Sequence, residues 1–233
     1  MKSSLVLLVL NEIEGLKALW SKIPFHCVSE VFAVDGGSTD GSREFLTQQG
    51  VEILSQTSRG RGEAFRMAFK RAKHDAVVFF SPDGNEDQAD IPKLLAKLEQ
   101  GHDMAIASRF LPGAKNEEDE EALPWRLWAN QGFTLLANFL WNKGERITDT
   151  INGYRAVTRY AFLKMAPDAS GFVIEYQMSI RAMKMGLKVA EIATVEGVRI
   201  GGRSKAGSIP TGIAFLKFLA REMRQGKKNF TLK

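Results

Sequence analysis

The chain has 233 residues, 44% of them hydrophobic, with 32 Lys and Arg against 27 Asp and Glu, one Cys and three His. So much apolar material excludes a disordered chain, the single Cys27 excludes an internal disulfide framework, and the scattered His26, His74 and His102 lack the spacing of zinc ligands. At roughly 150 residues per domain, the length suits one α/β domain with a terminal elaboration, and the lone thiol suits a reducing, cytoplasmic compartment. The net charge of +5 is uneven: residues 199–233 carry +8 and the rest −3. Such a basic end suits nucleic acid, anionic lipid or a phosphorylated substrate.

The apolar run at residues 5–10 falls short of the roughly 7–15 residues of a signal-peptide core, and Asn11-Glu12 stands where small cleavage residues belong, so a buried first strand is predicted. No run approaches the roughly 18 apolar residues of a membrane span. Runs at 31–34, 51–54, 76–80 and 104–107 predict further strands buried on both faces. Helices are predicted over 42–49, 63–73 and from Ile91-Pro92 to Gly101. This alternation predicts a doubly wound, mostly parallel sheet whose function lies at the carboxyl ends of its strands.

Beyond residue 110 the rhythm breaks. Five acids at 117–121 predict a solvated loop; a helix dense in aromatics follows over 124–143, then a broad helix over 174–185 and strands over 189–192 and 195–200. Residues 211–225 predict an amphipathic helix with Lys217, Arg221 and Arg224 beside its apolar face.

The strand ends gather polar residues: Asn11-Glu12, then Asp35 to Ser42, then Ser81-Pro82-Asp83-Gly84-Asn85, then Ser108-Arg109. Together they predict one crevice lined with carboxylates. Asp35 suits hydrogen bonds from a nucleobase or ribose, while Ser58-Arg59-Gly60-Arg61-Gly62 offers N–H groups and cations to an anion at a helix start. That turn lacks the Gly-Lys-Ser/Thr ending of a P-loop.

Read in order, these segments resemble the family 2 glycosyltransferases, most closely the dolichyl-phosphate mannose synthase branch of polyprenyl-phosphate glycosyltransferases. The resemblance rests on Leu10-Asn11-Glu12, the element from Val34 to Ser42, the turn from Arg59 to Ala64, the stretch from Ser81 to Pro92, Asp149-Thr150-Ile151-Asn152-Gly153-Tyr154-Arg155-Ala156, and Arg199-Ile200-Gly201-Gly202-Arg203-Ser204-Lys205. It covers nearly the whole chain. The implied fold is the Rossmann-like GT-A fold, with residues 1–110 binding the nucleotide sugar, 111–210 the acceptor, and 211–233 forming a basic helix and tail. Departures from the family pattern are Ser81 in place of the first metal-site Asp, Asn85 for Gln, Gly36 for a second Asp, and Leu8 for an early Pro.

The resemblance implies an inverting transfer of a hexose, mannose from GDP-mannose first among the choices, to a polyprenyl phosphate. It implies donor contacts from Asn11, Glu12, Asp35, Gly37, Ser38, Arg61 and Asp83, and Mg²⁺ or Mn²⁺ held by Asp83 and Asn85. Arg199, Arg203, Ser204 and Lys205 are expected on phosphate oxygens, with Arg109 and Arg155 behind them. An anionic acceptor needs no strong base; a sugar hydroxyl would need one, for which Asp149 is the first candidate and Glu175 the second. The alternatives are that hydroxyl-directed transferase and a non-catalytic subunit that binds GDP- or UDP-sugars. Similar enzymes often carry membrane spans after the catalytic domain and this chain ends without one, so peripheral contact with an anionic membrane or a membrane partner is expected, and no nucleic acid.

Overall fold

The computed structural model describes residues 1–116, 125–201 and 208–225. The acidic run at 117–121 and the expected phosphate ligands Arg203, Ser204 and Lys205 lie outside the described residues, as do Lys227 and Lys228. Seven strands form one sheet: β1 (Ser3–Val9), β2 (Glu30–Asp35), β3 (Glu52–Ser55), β4 (Ala76–Phe80), β5 (Met104–Ser108), β6 (Arg155–Thr158) and β7 (Val189–Ala193), ordered β3-β2-β1-β4-β6-β5-β7. All neighbours pair in parallel except β6, which runs antiparallel to both β4 and β5.

The continuous apolar runs behave as doubly covered strands should, since every residue of β1, β4 and β5 is buried. Alternate residues feed two cores: Val6 and Leu8 face helices α3 (Arg61–Arg71) and α7 (Val173–Met185), whereas Leu5, Leu7 and Val9 face α1 (Ile13–Leu19) and α4 (Asp90–Glu99). Helix α2 (Ser42–Gln48) lies between β2 and β3 in the chain, and α6 (Arg159–Met165) follows β6 directly. Helices α5 (Trp125–Trp141) and α8 (Ser208–Gln225) join the first core through Phe133, Tyr176, Phe215 and Phe218, whose rings pack together. The expected boundary at residue 210 therefore falls inside α8.

One expected strand is absent. Residues 195–200 make a single bridge, Val195 to Lys115, and otherwise spend their backbone on loops: Gly197 N–H donates to Asn85 O at 2.9 Å and Ile200 N–H to Asp83 O at 2.7 Å. Helices α1 and α6 and strand β6 appear where no element is predicted.

Candidate active site

At the carboxyl ends of β1, β2 and β4 lies a cavity of about 450 Å³, bounded beyond the strands by Gln56, the start of α3, Phe172 and Arg199. Its apolar wall is Leu8, Leu10, Val34 and Ala64; its charged mouth is Glu12, Asp83, Arg59, Arg61 and Arg199. The segment 195–200, although not a strand, delivers Arg199: its guanidinium donates to Asp83 Oδ2 at 2.6 Å and reaches both oxygens of Glu12 at 3.3 and 3.4 Å. The close approach requires Gly84, which has φ +97°, because a Cβ there would press on Val198 O and Ile200.

The glycine turn before α3 is built differently from a free anion nest. Gly62 N–H is spent on Ser170 O at 2.9 Å, and Cβ atoms at Gly60 or Gly62 would strike the carbonyls of Ser170 and Ala169. These glycines let the 169–171 loop lie against the helix start. Arg61 faces the cavity while its Nε donates to Glu175, whose carboxyl burial pushes up against the opposing pull of Arg61 and Arg155.

Of the expected donor contacts, Glu12, Gly37, Arg61 and Asp83 line the cavity; Asn11, Asp35 and Ser38 do not. Those three instead lock the loops together. Asn11, in the left-handed region at φ 56°, accepts Thr39 N–H at 2.8 Å and donates its own N–H to Ser38 Oγ at 2.9 Å. Asp35 is fully buried, accepts the N–H groups of Gly37 and Ser38, and pairs with Arg43 at 2.6 Å. Burial opposes its ionisation, but Ser38, Arg43 and the loop amides outweigh it and hold the carboxyl below its ordinary range.

Three further expected residues do not line the cavity. Asp149 is fully buried, bonded to Arg109 at 2.7 and 3.1 Å and to the N–H groups of Ile151 and Asn152. Burial opposes its charge, but Arg109 and the loop amides more than compensate, and the carboxyl stays below its usual range as the counter-ion of Arg109. Arg109 is committed to that pair and, at 3.6 Å, to Glu196. Arg155, the first residue of β6, points into the interior, where Nε donates to Asn152 O and NH1 to Glu175 O and Ser179 Oγ; burial pulls it down to about 10.

The donors fit a hard divalent cation. Asp83 lines the cavity, and Ser81 beside it is 7% exposed with an Oγ that has no hydrogen-bond partner. Oxygen ligands of this kind suit Mg²⁺ or Mn²⁺. Among the described residues no three His, Cys, Asp or Glu side chains are grouped so as to hold a metal ion by themselves. Asn85 does not line the cavity, and its Nδ2 donates to Gly197 O at 3.1 Å. Glu86, unforeseen in the sequence, accepts Ser81 N–H at 2.6 Å; burial first, then the charge of Asp83, pushes it up to about 8. Glu86 stands behind Ser81 and is not itself among the residues lining the cavity, whereas Gln56 and Phe172 are lining residues that belong to no recognisable motif.

Residues 4–164 match the sequence profile of Glycosyl transferase family 2. The glycosyltransferase AglJ of Haloferax volcanii is 31% identical over 218 residues, spanning 91% of this chain and 69% of that protein. A polyprenol monophosphomannose synthase of Mycolicibacterium smegmatis is 28% identical over 210 residues, spanning 84% and 77%. In fold, the chain superposes on glucosyl-3-phosphoglycerate synthase of Mycobacterium tuberculosis, solved with Mn²⁺ and UDP-glucose, with a TM-score of 0.69 at 22% identity, covering 94% of this chain and 77% of that one. A sheet of this order, a cleft at its carboxyl edge and a profile match over most of its length make the chain a member of glycosyl transferase family 2 with the GT-A fold, near the polyprenyl-phosphate glycosyltransferase branch.

Proposed function

We propose that the chain moves a hexosyl group, mannose from GDP-mannose foremost, onto a polyprenyl phosphate with inversion at the anomeric carbon. The observation that carries this reading is the grouping of Asp83, Glu12, Arg61 and Arg199 around one cavity at the strand ends. The polyprenol monophosphomannose synthase among its relatives supports the sugar and the acceptor. Asp83 is the arm for Mg²⁺ or Mn²⁺, which when bound would neutralise charge growing on the departing nucleoside diphosphate. Arg199 and Arg61 supply guanidinium forks to phosphate oxygens, while Glu12 and Gly37 shape the donor pocket. Arg203, Ser204 and Lys205, next along the chain, are proposed for the acceptor phosphate.

A lipid phosphate is already an anionic nucleophile, so the chain's work is to hold two like-charged groups in line. The anchored Asp149 and the Arg61-bound Glu175 leave neither candidate base open to the cavity, which favours a phosphate acceptor over a sugar hydroxyl. Exposed Ile213, Leu216 and Met223 share α8 with exposed Lys217 and Arg224, and Phe139 of α5 is 86% exposed; these support peripheral contact with an anionic membrane. No described helix is long and apolar enough to cross one.

The test is calorimetric titration with GDP and UDP, each with Mn²⁺, Mg²⁺ or chelator, followed by transfer of labelled sugar to a polyprenyl phosphate. Metal-dependent binding of one nucleotide, lost in Asp83→Ala, together with lipid glycosylation, is expected. Metal-independent binding without transfer would instead make the chain a non-catalytic subunit, and transfer only to sugar hydroxyls would move the acceptor class.

A further inference from the structure

Past the tip of β4 the chain doubles back through Gly84, so that the Glu86 carboxylate returns to residue 81 and accepts its N–H at 2.6 Å. The Ser81 hydroxyl lies near that carboxylate without completing a hydrogen bond to it, is buried, and stands in the cavity wall next to Asp83. A buried hydroxyl without a partner is uncommon in a folded protein, so an unmet oxygen in the same cavity wall as Asp83, on the residue whose N–H Glu86 accepts, marks a place for a ligand. The neighbouring guanidinium groups already have partners: Arg61 donates to Glu175, and Arg199 to Asp83 and Glu12. One N–H bond leaves most of the lone-pair capacity of Glu86 unused.

We propose that Glu86, with Ser81 Oγ beside it, is the second protein arm of the divalent-cation subsite whose first arm is Asp83. The inference rests on the reading that Asp83 holds the cation of a nucleoside diphosphate sugar. It gives Glu86 the role that the family resemblance implies for Asn85, whose Nδ2 donates to Gly197 O. Two carboxylates, a hydroxyl and diphosphate oxygens make a hard, all-oxygen shell that selects Mg²⁺ or Mn²⁺ over thiophilic ions.

The experiment measures Mn²⁺ bound to the full chain by electron paramagnetic resonance, with GDP or UDP present, in wild type, Glu86→Gln, Asn85→Ala and the double variant Ser81→Asp/Glu86→Gln. Nucleotide affinity in chelator is measured alongside. Expected are a loss of about tenfold or more in Mn²⁺ affinity for Glu86→Gln, of the size that supporting groups at metal sites contribute, and no such loss for Asn85→Ala. Nucleotide affinity in chelator should stay the same, and the double variant should recover Mn²⁺ because a carboxylate is again present at the β4 tip. Unchanged Mn²⁺ affinity in Glu86→Gln, or a loss that the double variant does not restore, overturns the assignment of Glu86 while leaving the transferase reading standing. A wild-type chain that binds nucleotide without any metal dependence overturns both.

Discussion

Helix α8 is fastened by a buried ionic knot whose removal has a calculable cost. Glu222 Oε1 accepts from Arg181 at 3.1 and 3.0 Å, and its Oε2 accepts from Lys184 at 2.7 Å, with all three side chains at most 2% exposed. Glu222→Ala removes the carboxylate these two cations share. Breaking a buried pair typically costs about 3–5 kcal/mol. Arg181 keeps Met165 O, Ala166 O and Asp168, and Lys184 keeps the carbonyl of residue 222 and the Trp141 ring at 5.0 Å, so the lower end, about 3 kcal/mol, is expected. For a chain of this size that lowers the Tm by roughly 6–12 °C. Thermal unfolding by circular dichroism reads the shift, and hydrogen exchange should show α8 amides opening first. Glu63→Ala, which removes only the partly exposed pair with Arg66, is the control and should cost no more than about 1 kcal/mol. A Tm within 2 °C of wild type for Glu222→Ala, or unchanged exchange in α8, would refute the knot.

Gly62→Ala drives a Cβ into Ala169 O and should cost about 1–3 kcal/mol and weaken nucleotide binding, whereas Gly132→Ala, in open space within α5, should be neutral or gain up to about 1 kcal/mol; denaturant titration compares them. Asp149→Asn should lower stability by loss of the Arg109 pair while a folded sample keeps its turnover; collapse of kcat in a folded variant would restore Asp149 as a base. Glu86, raised from 4.5 to about 8 chiefly by burial, binds a proton in the folded chain that the unfolded chain releases. Stability of the nucleotide-free protein should therefore fall as pH climbs through that window, and Glu86→Gln should flatten the decline in Tm scans from pH 4.5 to 8.5.

The strands of the first half were legible because burial on both faces demands uninterrupted apolar runs, as in β1 and β4. Strand β6 was not: it is four residues long, opens with Arg155, and owes its place to antiparallel pairing with β4 and β5. Residues 195–200 have the composition of a strand, yet their N–H groups serve the Asp83 loop. Within the site, Glu12, Arg61, Asp83 and Arg199 could be read from motif position. Charge type alone does not say whether a side chain turns into the interior, and this is why Arg155, in β6, and Asp149, in the loop before it, looked available. Glu86 was hidden because its return to residue 81 depends on a left-handed turn at Gly84, a property of backbone geometry rather than of residue type.

The contact between Arg199 and Glu12 joins residues 187 apart in sequence. During synthesis, β1, β2 and β4 leave the ribosome long before Arg199, so the acidic lip is complete while its guanidinium is still unmade. Contacts of such separation form late and slow the final stage of folding. A fragment ending before residue 199 would leave the Asp83 and Glu12 carboxylates without the guanidinium that bridges them, and the full charge balance of the cleft would arrive only with the last 35 residues of the chain.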